Sequence, residues 1–304
     1  MKKADLILSA DLHIRETTPE CRTDDFDAAL WNKIAFIGAL AEEHECPILI
    51  AGDVFHHWKP SPNLIRMCIE RFPVGMHVLF GQHDLPQHSW QNREKSGLAA
   101  LEAARAVKIL PGCHWGQDPG DPSYTINWFE GKIHEGLKET QRQILVWHHM
   151  VWQGKRPWPG CTDPSAVAVL KKYPEYDLIL TGDNHKPFTE EYEGRLLVNP
   201  GSITRQSADQ IDHTPRVYLY YASTNTVRPV FLPVQEGKEV ISRDHIDRKE
   251  ERTERISTFI SRLGGEWEAG LSFEENLKRF FESNKVLDSV KQIVWDAVDG
   301  DNKT

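Results

Sequence analysis

Residues 77–88, HVLFGQHDLPQH, decide how this chain is read. Val78-Leu79-Phe80 reads as a buried strand and Gly81 as its punctuation, yet Gln82, His83 and Asp84 spill straight out of its end. The polar residues just past a buried strand are where α/β enzymes keep their chemistry. The same arrangement recurs along the chain, in ADLILSADLH, CPILIAGDVFHH, QILVWHHM, YDLILTGDNH and RLLVNPGS. Between several of these runs lie segments of helix length. FDAALWNKIAFIGALAEEH places Phe26, Leu30, Ile34, Ile37 and Ala41 at helical spacing, with Asp24 or Asp25 as the N-cap. Residues 63–71, 94–106 and 164–172 are further helix candidates. Strand–helix alternation of this kind predicts a layered α/β domain with buried strands. RVYLYYA and VRPVFLPV follow one another without a helix and predict a hairpin completing a sheet.

A chain of 304 residues, 39% hydrophobic and 27% charged, can bury one large core or one core and a small appendage. In MKKADLILSADLH only Leu6-Ile7-Leu8 separates Asp5 from the next polar residues, too short for a leader peptide. No run approaches the ~20 apolar residues of a membrane span. Cys21, Cys46, Cys68, Cys113 and Cys161 are odd in number and scattered, with no C-x-x-C pair, which speaks against a disulfide framework and a cysteine zinc site. A cytoplasmic, membrane-free protein is the expectation. The net charge of -9 does not advertise a nucleic-acid binder. It does not exclude one, because an acidic metal site counts as negative until its ions reverse it. After about Val240 the character changes to the charge-dense SRDHIDRKEERTERISTFISRLGG and then LSFEENLKRFFESNKVLDSVKQIVWDAV. The boundary is placed near Asp244, giving a domain over 1–244 and, over 245–304, a charged linker with amphipathic helices. In that tail Ser272 and Glu275 form a capping-box pattern, and Phe280, Phe281, Leu287, Val290, Ile293 and Val294 form apolar stripes on one long or two short helices.

The strand-end clusters supply Asp11 and His13; Asp53; Gln82, His83 and Asp84; His148 and His149; Asp183 and His185. In an open α/β sheet such ends converge on one crevice. Asp11 and His13, two residues apart, leave an extended segment on the same side and can grip one ion. Carboxylates, neutral imidazoles and an amide oxygen, without cysteine, suit manganese, iron(II) or zinc. Two ions need a shared ligand, and the two oxygens of Asp53 can serve both.

The order D-x-H, G-D, G-[NQ]-H-D, H, G-x-x-H resembles the calcineurin-like metallophosphoesterase superfamily over about residues 4–234. The resemblance implies a four-layer α-β-β-α metallophosphoesterase sandwich with a two-metal site, here followed by the helical C-terminal appendage. Within that superfamily, GDVFHHWKPSPNLI, GQHDLP and NPGSITRQSADQIDHTPRVYLYY are most similar to the SbcD-type nucleases of bacteria and phages. By that resemblance Asp11, His13, Asp53 and His185 hold one ion, and Asp53, Gln82, His148 and Asp183 hold the other. His148 is the preferred histidine of its pair, as the first residue past ILVW, with His149 behind it. His83 contacts the scissile phosphate or protonates the leaving oxygen, Asp84 orients its ring, and His56 places the phosphate. Gln82 stands where the family usually has Asn, and Asp183 where it commonly has His. The oxygen donor at 183 favours manganese or magnesium over zinc. The implied reaction is hydrolysis of DNA, as a manganese-dependent 3′–5′ exonuclease and an endonuclease on single strands or hairpins. Lys59, Lys155, Arg156, Lys186 and Arg205 are candidates to meet DNA phosphates. The implied partner is an SbcC-type ATPase docked by the tail, and a homodimer is left open. Two rival readings are a phosphoesterase of small nucleotides or phosphoproteins and a non-catalytic scaffold of the same fold.

Overall fold

The computed structural model describes residues 2–110, 124–128, 142–263 and 273–299. It divides into two compact units, Met1–Ile241 and Ser242–Thr304. In the first, β1 (Leu6–Ser9), β2 (Ile48–Ile50), β3 (Met76–Val78) and β4 (Lys108–Ile109) run parallel, joined through α1 (Phe26–His44), α2 (Pro62–Arg71) and α3 (Gly97–Ala103). A second sheet contains β5 (Tyr124–Trp128), β6 (Arg142–Trp147), β7 (Leu178–Thr181), β8 (Phe188–Tyr192) and β9 (Arg195–Asn199), with α4 (Ala166–Lys172) between β6 and β7. There β5, β6, β7 and β9 are parallel and β8 is antiparallel at the edge, in the order β5-β6-β7-β9-β8. The hairpin of β10 (Arg216–Tyr221) and β11 (Thr226–Phe231) returns to the first sheet antiparallel to β1, giving the order β11-β10-β1-β2-β3-β4. A single turn, α5 (Gly237–Val240), closes the unit.

The period-two geometry of strands sorts the apolar side chains into layers. Leu6 and Leu8 face one way with Leu49, and pack against Leu178, Leu180, Ile144, Val146 and Tyr220 in a core between the two sheets. Ile7, Ile48, Ile50 and Val78 face the other way, onto Phe26, Leu30, Ile34 and Ile37 of α1 and Leu64 of α2. Leu145, Ile179 and Leu197 pack beneath Val169 and Leu170 of α4. The result is a four-layer α-β-β-α sandwich, as the sequence predicts. In the β10–β11 turn, Asn225 donates to the carbonyls of Asp177 and Gly194 and accepts from the Tyr220 hydroxyl, which ties the hairpin to loops of the second sheet.

Helix starts follow their capping side chains. Asp25 accepts from Ala28 N at 3.0 Å, Ser61 from Leu64 N and Ser165 from Ala168 N. The helix expected over 94–106 is shorter. Trp90–Lys95 forms a 3-10 turn, and Ser96 caps a fresh start at Gly97, where a Cβ would collide with Pro60.

The second unit holds α6 (Asp244–Leu263), α7 (Phe273–Ser283) and α8 (Asp288–Asp299). The charge-dense run read as a tether is therefore a helix. Pairs such as Glu251–Arg255, four residues apart at 3.5 Å, sit on its surface, and Arg252 reaches Glu274 of α7 at 3.5 Å. Ser272 of the proposed capping box, like Cys113, lies outside the described residues. Phe281 is buried and meets Trp295 edge-on at 6.1 Å. Leu287, Val290 and Ile293 are 71%, 43% and 66% exposed. Cys21, Cys46, Cys68 and Cys161 are free thiols, and no described helix is long and apolar enough to cross a membrane.

Leu8 is fully buried between the sheets. Leu8→Ala should lower the unfolding free energy by about 2–5 kcal/mol, read from urea denaturation. A loss below about 1 kcal/mol would mean the two sheets do not share one close-packed core.

Candidate metal centre

The C-terminal ends of β1, β2, β3, β6 and β7 lie at one edge of the sandwich, and the strand-end residues meet there. The backbone turns sharply to place them. Asp11, His13, Asp53 and Asp183 all adopt left-handed φ angles, at 50°, 45°, 51° and 71°. Asp11 and His13 therefore converge through a kinked segment past β1 rather than through the extended one expected from their spacing. Side chains rarely take this conformation unless the surroundings enforce it, and such residues cluster at functional sites. Gly52 has φ 90°, and a Cβ there would stand 2.5 Å from His148 Nδ1. A Cβ on Gly81 would overlap the Asp53 carboxylate, and one on Gly182 would stand 2.6 Å from the same His148 nitrogen. The glycines of G-D, G-Q-H-D and G-D-N-H are thus the space into which Asp53 and His148 fit.

Asp53 is the hub. Its Oδ1 accepts from His83 N at 2.8 Å, while Oδ2 stands 3.2 Å from His148 Nε2 and 3.7 Å from His13 Nε2. His13 Nε2 and His185 Nε2 face each other at 3.0 Å, and Asp11 Oδ1 is 4.0 Å from His13 Nε2. Gln82 Nε2 donates to Asp183 Oδ1 at 2.7 Å, and Asp183 N donates to Asp11 Oδ1. Two groups of donor atoms are compact enough to surround a cation: Asp11, His13 and His185, and Asp11, Asp53 and His148. His13, His56 and His83 form a third group. The rings of His56 and His83 stack at 5.7 Å and both meet His13 edge-on. His149 instead stacks flat on Trp147 at 4.2 Å, with Asp163 3.9 Å away.

Residues 5–220 match the family model described as the calcineurin-like phosphoesterase superfamily domain. The chain belongs to this superfamily. A comparison with curated proteins gives no match. Solved structures similar to this phosphoesterase include an archaeal phosphodiesterase, at 14% identity over 75% of this chain and 99% of that one, TM-score 0.41. The phosphopantetheinyl hydrolase of Mycobacterium tuberculosis is similar at 12% identity, 75% and 96% coverage and TM-score 0.43. Vacuolar protein sorting 29 of Cryptosporidium parvum is similar at 16% identity, 77% and 100% coverage and TM-score 0.35. Function has to be argued from the site itself.

The superfamily uses two divalent metals, and the residues present suit them. Asp11 Oδ2, Asp53 Oδ2 and His148 Nε2 are buried with no hydrogen-bond partner. At 3.2 Å, Asp53 and His148 are close without being aligned as donor and acceptor, as ligand atoms around a common cation would be. Burial holds His13 and His185 below the usual imidazole range, which keeps them neutral and able to coordinate. It also pushes Asp11 up to about 7. Burial opposes the charged forms of Asp53 and His148 as well, but their mutual attraction wins, holding Asp53 at about 2 and His148 at about 10. A cation held between them would take the place of the His148 proton.

Two sequence expectations are corrected. Asp84 does not touch the His83 ring. Its carboxylate accepts from Val54 N, Phe55 N and Gly81 N at 2.8–3.1 Å, clamping the β2 loop to the β3 loop. The His83 ring is held by the carbonyl of His56, at 2.9 Å from Nδ1. Arg205 is 5% exposed and its guanidinium is spent on the carbonyls of His213 and Gln235, so it is not free to meet a phosphate. Lys59, Lys155, Arg156 and Lys186 are exposed. Sequence reading also missed Asn199, buried, which donates to the carbonyls of Asn184 and Lys186 and so holds the His185 loop. Its place at the head of NPGS, as the last residue of β9, was the available signal.

Because His148 is protonated up to about pH 10, an ion taken up at its Nε2 must expel that proton. Metal affinity should therefore rise with pH, by roughly tenfold per unit between pH 7 and 9. Below about pH 7, where Asp11 is protonated too, the dependence should steepen. Calorimetric titrations in buffers of different ionisation enthalpy count the protons. A pH-independent affinity would remove His148 from the ligand set.

Proposed function

We propose that this chain is a two-metal-dependent DNA nuclease of the SbcD type, active with manganese and, more weakly, magnesium. The observation that carries the choice of a nucleic acid is the loop after β6. Its base is bound to the metal centre, with Asn184 Nδ2, between Asp183 and His185, donating to Val151 O at 2.7 Å. Its outer part carries exposed Lys155 and Arg156 and then Trp158, 49% exposed between two prolines. Cations for the backbone and a bare indole for a base are what a single nucleic-acid strand recruits. A small nucleotide offers little for such a projecting loop to hold. Lys59 and Lys186, exposed beside the site motifs, add charge for neighbouring phosphates.

Asp11, His13, Asp53 and His185 would hold one ion, and Asp53, Gln82, His148 and Asp183 the other. Bound there, such ions would lower the pKa of a water and neutralise phosphate charge. The chain supplies the rest. His56 and His83, stacked on each other and edge-on to His13, meet the phosphate. A carbonyl only accepts, so the His56 carbonyl keeps the hydrogen on His83 Nδ1 and turns Nε2 outward. With a second proton on that nitrogen the ring would be an imidazolium, which would pass the Nε2 proton to the sugar oxygen as its bond to phosphorus breaks and be left neutral with its hydrogen on Nδ1. Asp84, acting through the backbone of both loops, fixes the distance between them.

The reading extends to a partner for the tail. The exposed Leu287, just before α8, and Val290 and Ile293 within it form an apolar stripe suited to helix-in-groove docking on an SbcC-type ATPase. The same reading places the protein in the cytoplasm, in repair, recombination or replication of DNA.

His83→Gln should keep two ions per chain by elemental analysis and lose ~10²–10⁴ in cleavage rate on end-labelled DNA with manganese. If instead a small phosphodiester turns over and linear and circular DNA are both spared, the chain acts on another substrate. Deleting residues 245–304 should leave manganese-dependent hydrolysis of a small phosphodiester intact and abolish the ATPase complex in gel filtration. A truncated chain that is insoluble would place those helices in the core.

A further inference from the structure

His88 ends the stretch with which the sequence was opened, and the nuclease reading gives it no role. Its geometry is unusual. Gln87 and His88 are consecutive residues with left-handed backbones, φ 53° and 55°, and neither is glycine. Such a residue persists only where the surroundings enforce it. The strained pair delivers the His88 imidazole to one place: Nδ1 lies 3.1 Å from the carbonyl oxygen of Gln82. The other group on that carbonyl, Leu85 N, is at 3.4 Å, a long contact.

Gln82 is gripped from both sides of its own turn. On one side His83 N donates to Asp53 Oδ1 at 2.8 Å, and on the other the Gln82 side chain donates to Asp183 Oδ1 at 2.7 Å. Between them the carbonyl is the remaining handle on the Gln82 peptide, and His88 holds it. The handle matters because three rotatable bonds separate the Gln82 backbone from its amide, so the amide is held at one point only if the backbone it springs from is fixed.

We propose that His88 is a positioning residue, which through the Gln82 carbonyl sets the side chain of Gln82 beside Asp183 and so completes the second of the two ion sites. This rests on the metal-centre assignment above. His88 itself is exposed and need touch neither ion nor substrate.

The test is manganese titration of the full-length apo-protein by calorimetry, with ion counts by elemental analysis. Wild type should take up two ions. His88→Ala should retain the first at unchanged affinity and weaken the second by about 10–100-fold, the usual effect of losing a group that orients a ligand. Its kcat on a small phosphodiester should fall with little change in KM. His88→Asn keeps an N–H that reaches a backbone carbonyl, and should restore the second ion. Two tight ions in His88→Ala, equal loss of both, or failure of Asn to rescue would each overturn the role while leaving the metal centre standing. A wild-type chain that binds no manganese would overturn both.

Discussion

Two carboxylates, Asp11 and Asp53, are buried at the edge where the two sheets meet, and each leaves one oxygen without a donor. Burying an unpaired anion costs several kcal/mol, so the fold must give something back at that point. In the protein alone, the histidine at 148 takes up a proton and stands in for a cation. That choice constrains the surroundings. His148 must come within 3.2 Å of Asp53, from a strand of the other sheet, across the backbones of Gly52 and Gly182. A methyl group at either glycine would separate the pair. The inter-sheet core of Leu8, Leu49, Leu178 and Leu180 is what holds the two backbones that close. Packing and site are thus one structure, since the register that buries these leucines also sends Asp11, Asp53 and Asp183 past the ends of their strands.

The positions of the site residues were legible because they follow from a topological rule. Parallel strands end on the same side, so a polar residue one or two places past each apolar run belongs to one crevice. What could not be read was how each residue is used, because the deciding contacts are remote in sequence. Asp84 is adjacent to His83 and invites a local partnership, but its oxygens face Val54 N and Phe55 N, some thirty residues away. Arg205 follows a site motif and carries a charge, yet its acceptors are at 213 and 235, and a buried arginine with satisfied donors is structural. The charged run after Val240 reads as a solvated tether because its apolar residues are sparse. Composition alone does not separate a linker from a helix that carries its ion pairs on the surface, such as Glu251–Arg255.

Backbone strain is distributed in a telling way. Asp11, His13, Asp53 and Asp183 come from three strand ends, and all are left-handed. A strand that simply continued would alternate its side chains across the sheet and send Asp11 and His13 along it. The kinks turn them inward instead. Backbone bonds lock the kinked segment, with Asp11 N on the Gly52 carbonyl, His13 N on that of Asp53 and Ile14 N on that of Val54. The pieces past β1 and β2 therefore still pair like strands while their side chains point as loop residues do. That combination gives rigidity where ligands need it, and it explains why secondary structure predicted from pattern stops short of the residues that matter most.

The imidazoles are oriented by the same economy. His148, His83 and His88 each place Nδ1 within 2.6–3.1 Å of a carbonyl, those of Ala51, His56 and Gln82. A carbonyl cannot donate, so in every case the hydrogen sits on Nδ1 and Nε2 is the nitrogen left for other work. No side-chain carboxylate is spent on this. In a site already crowded with Asp11, Asp53 and Asp183, another anion beside each ring would compete for the cations, whereas a backbone dipole fixes the tautomer without adding charge. It follows that the carbonyls of residues 51, 56 and 82 belong to the functional apparatus although their side chains differ widely. Substitution can reach them only through the conformation of the chain, which is why the glycines and left-handed residues around them are as much a part of the site as the donors themselves.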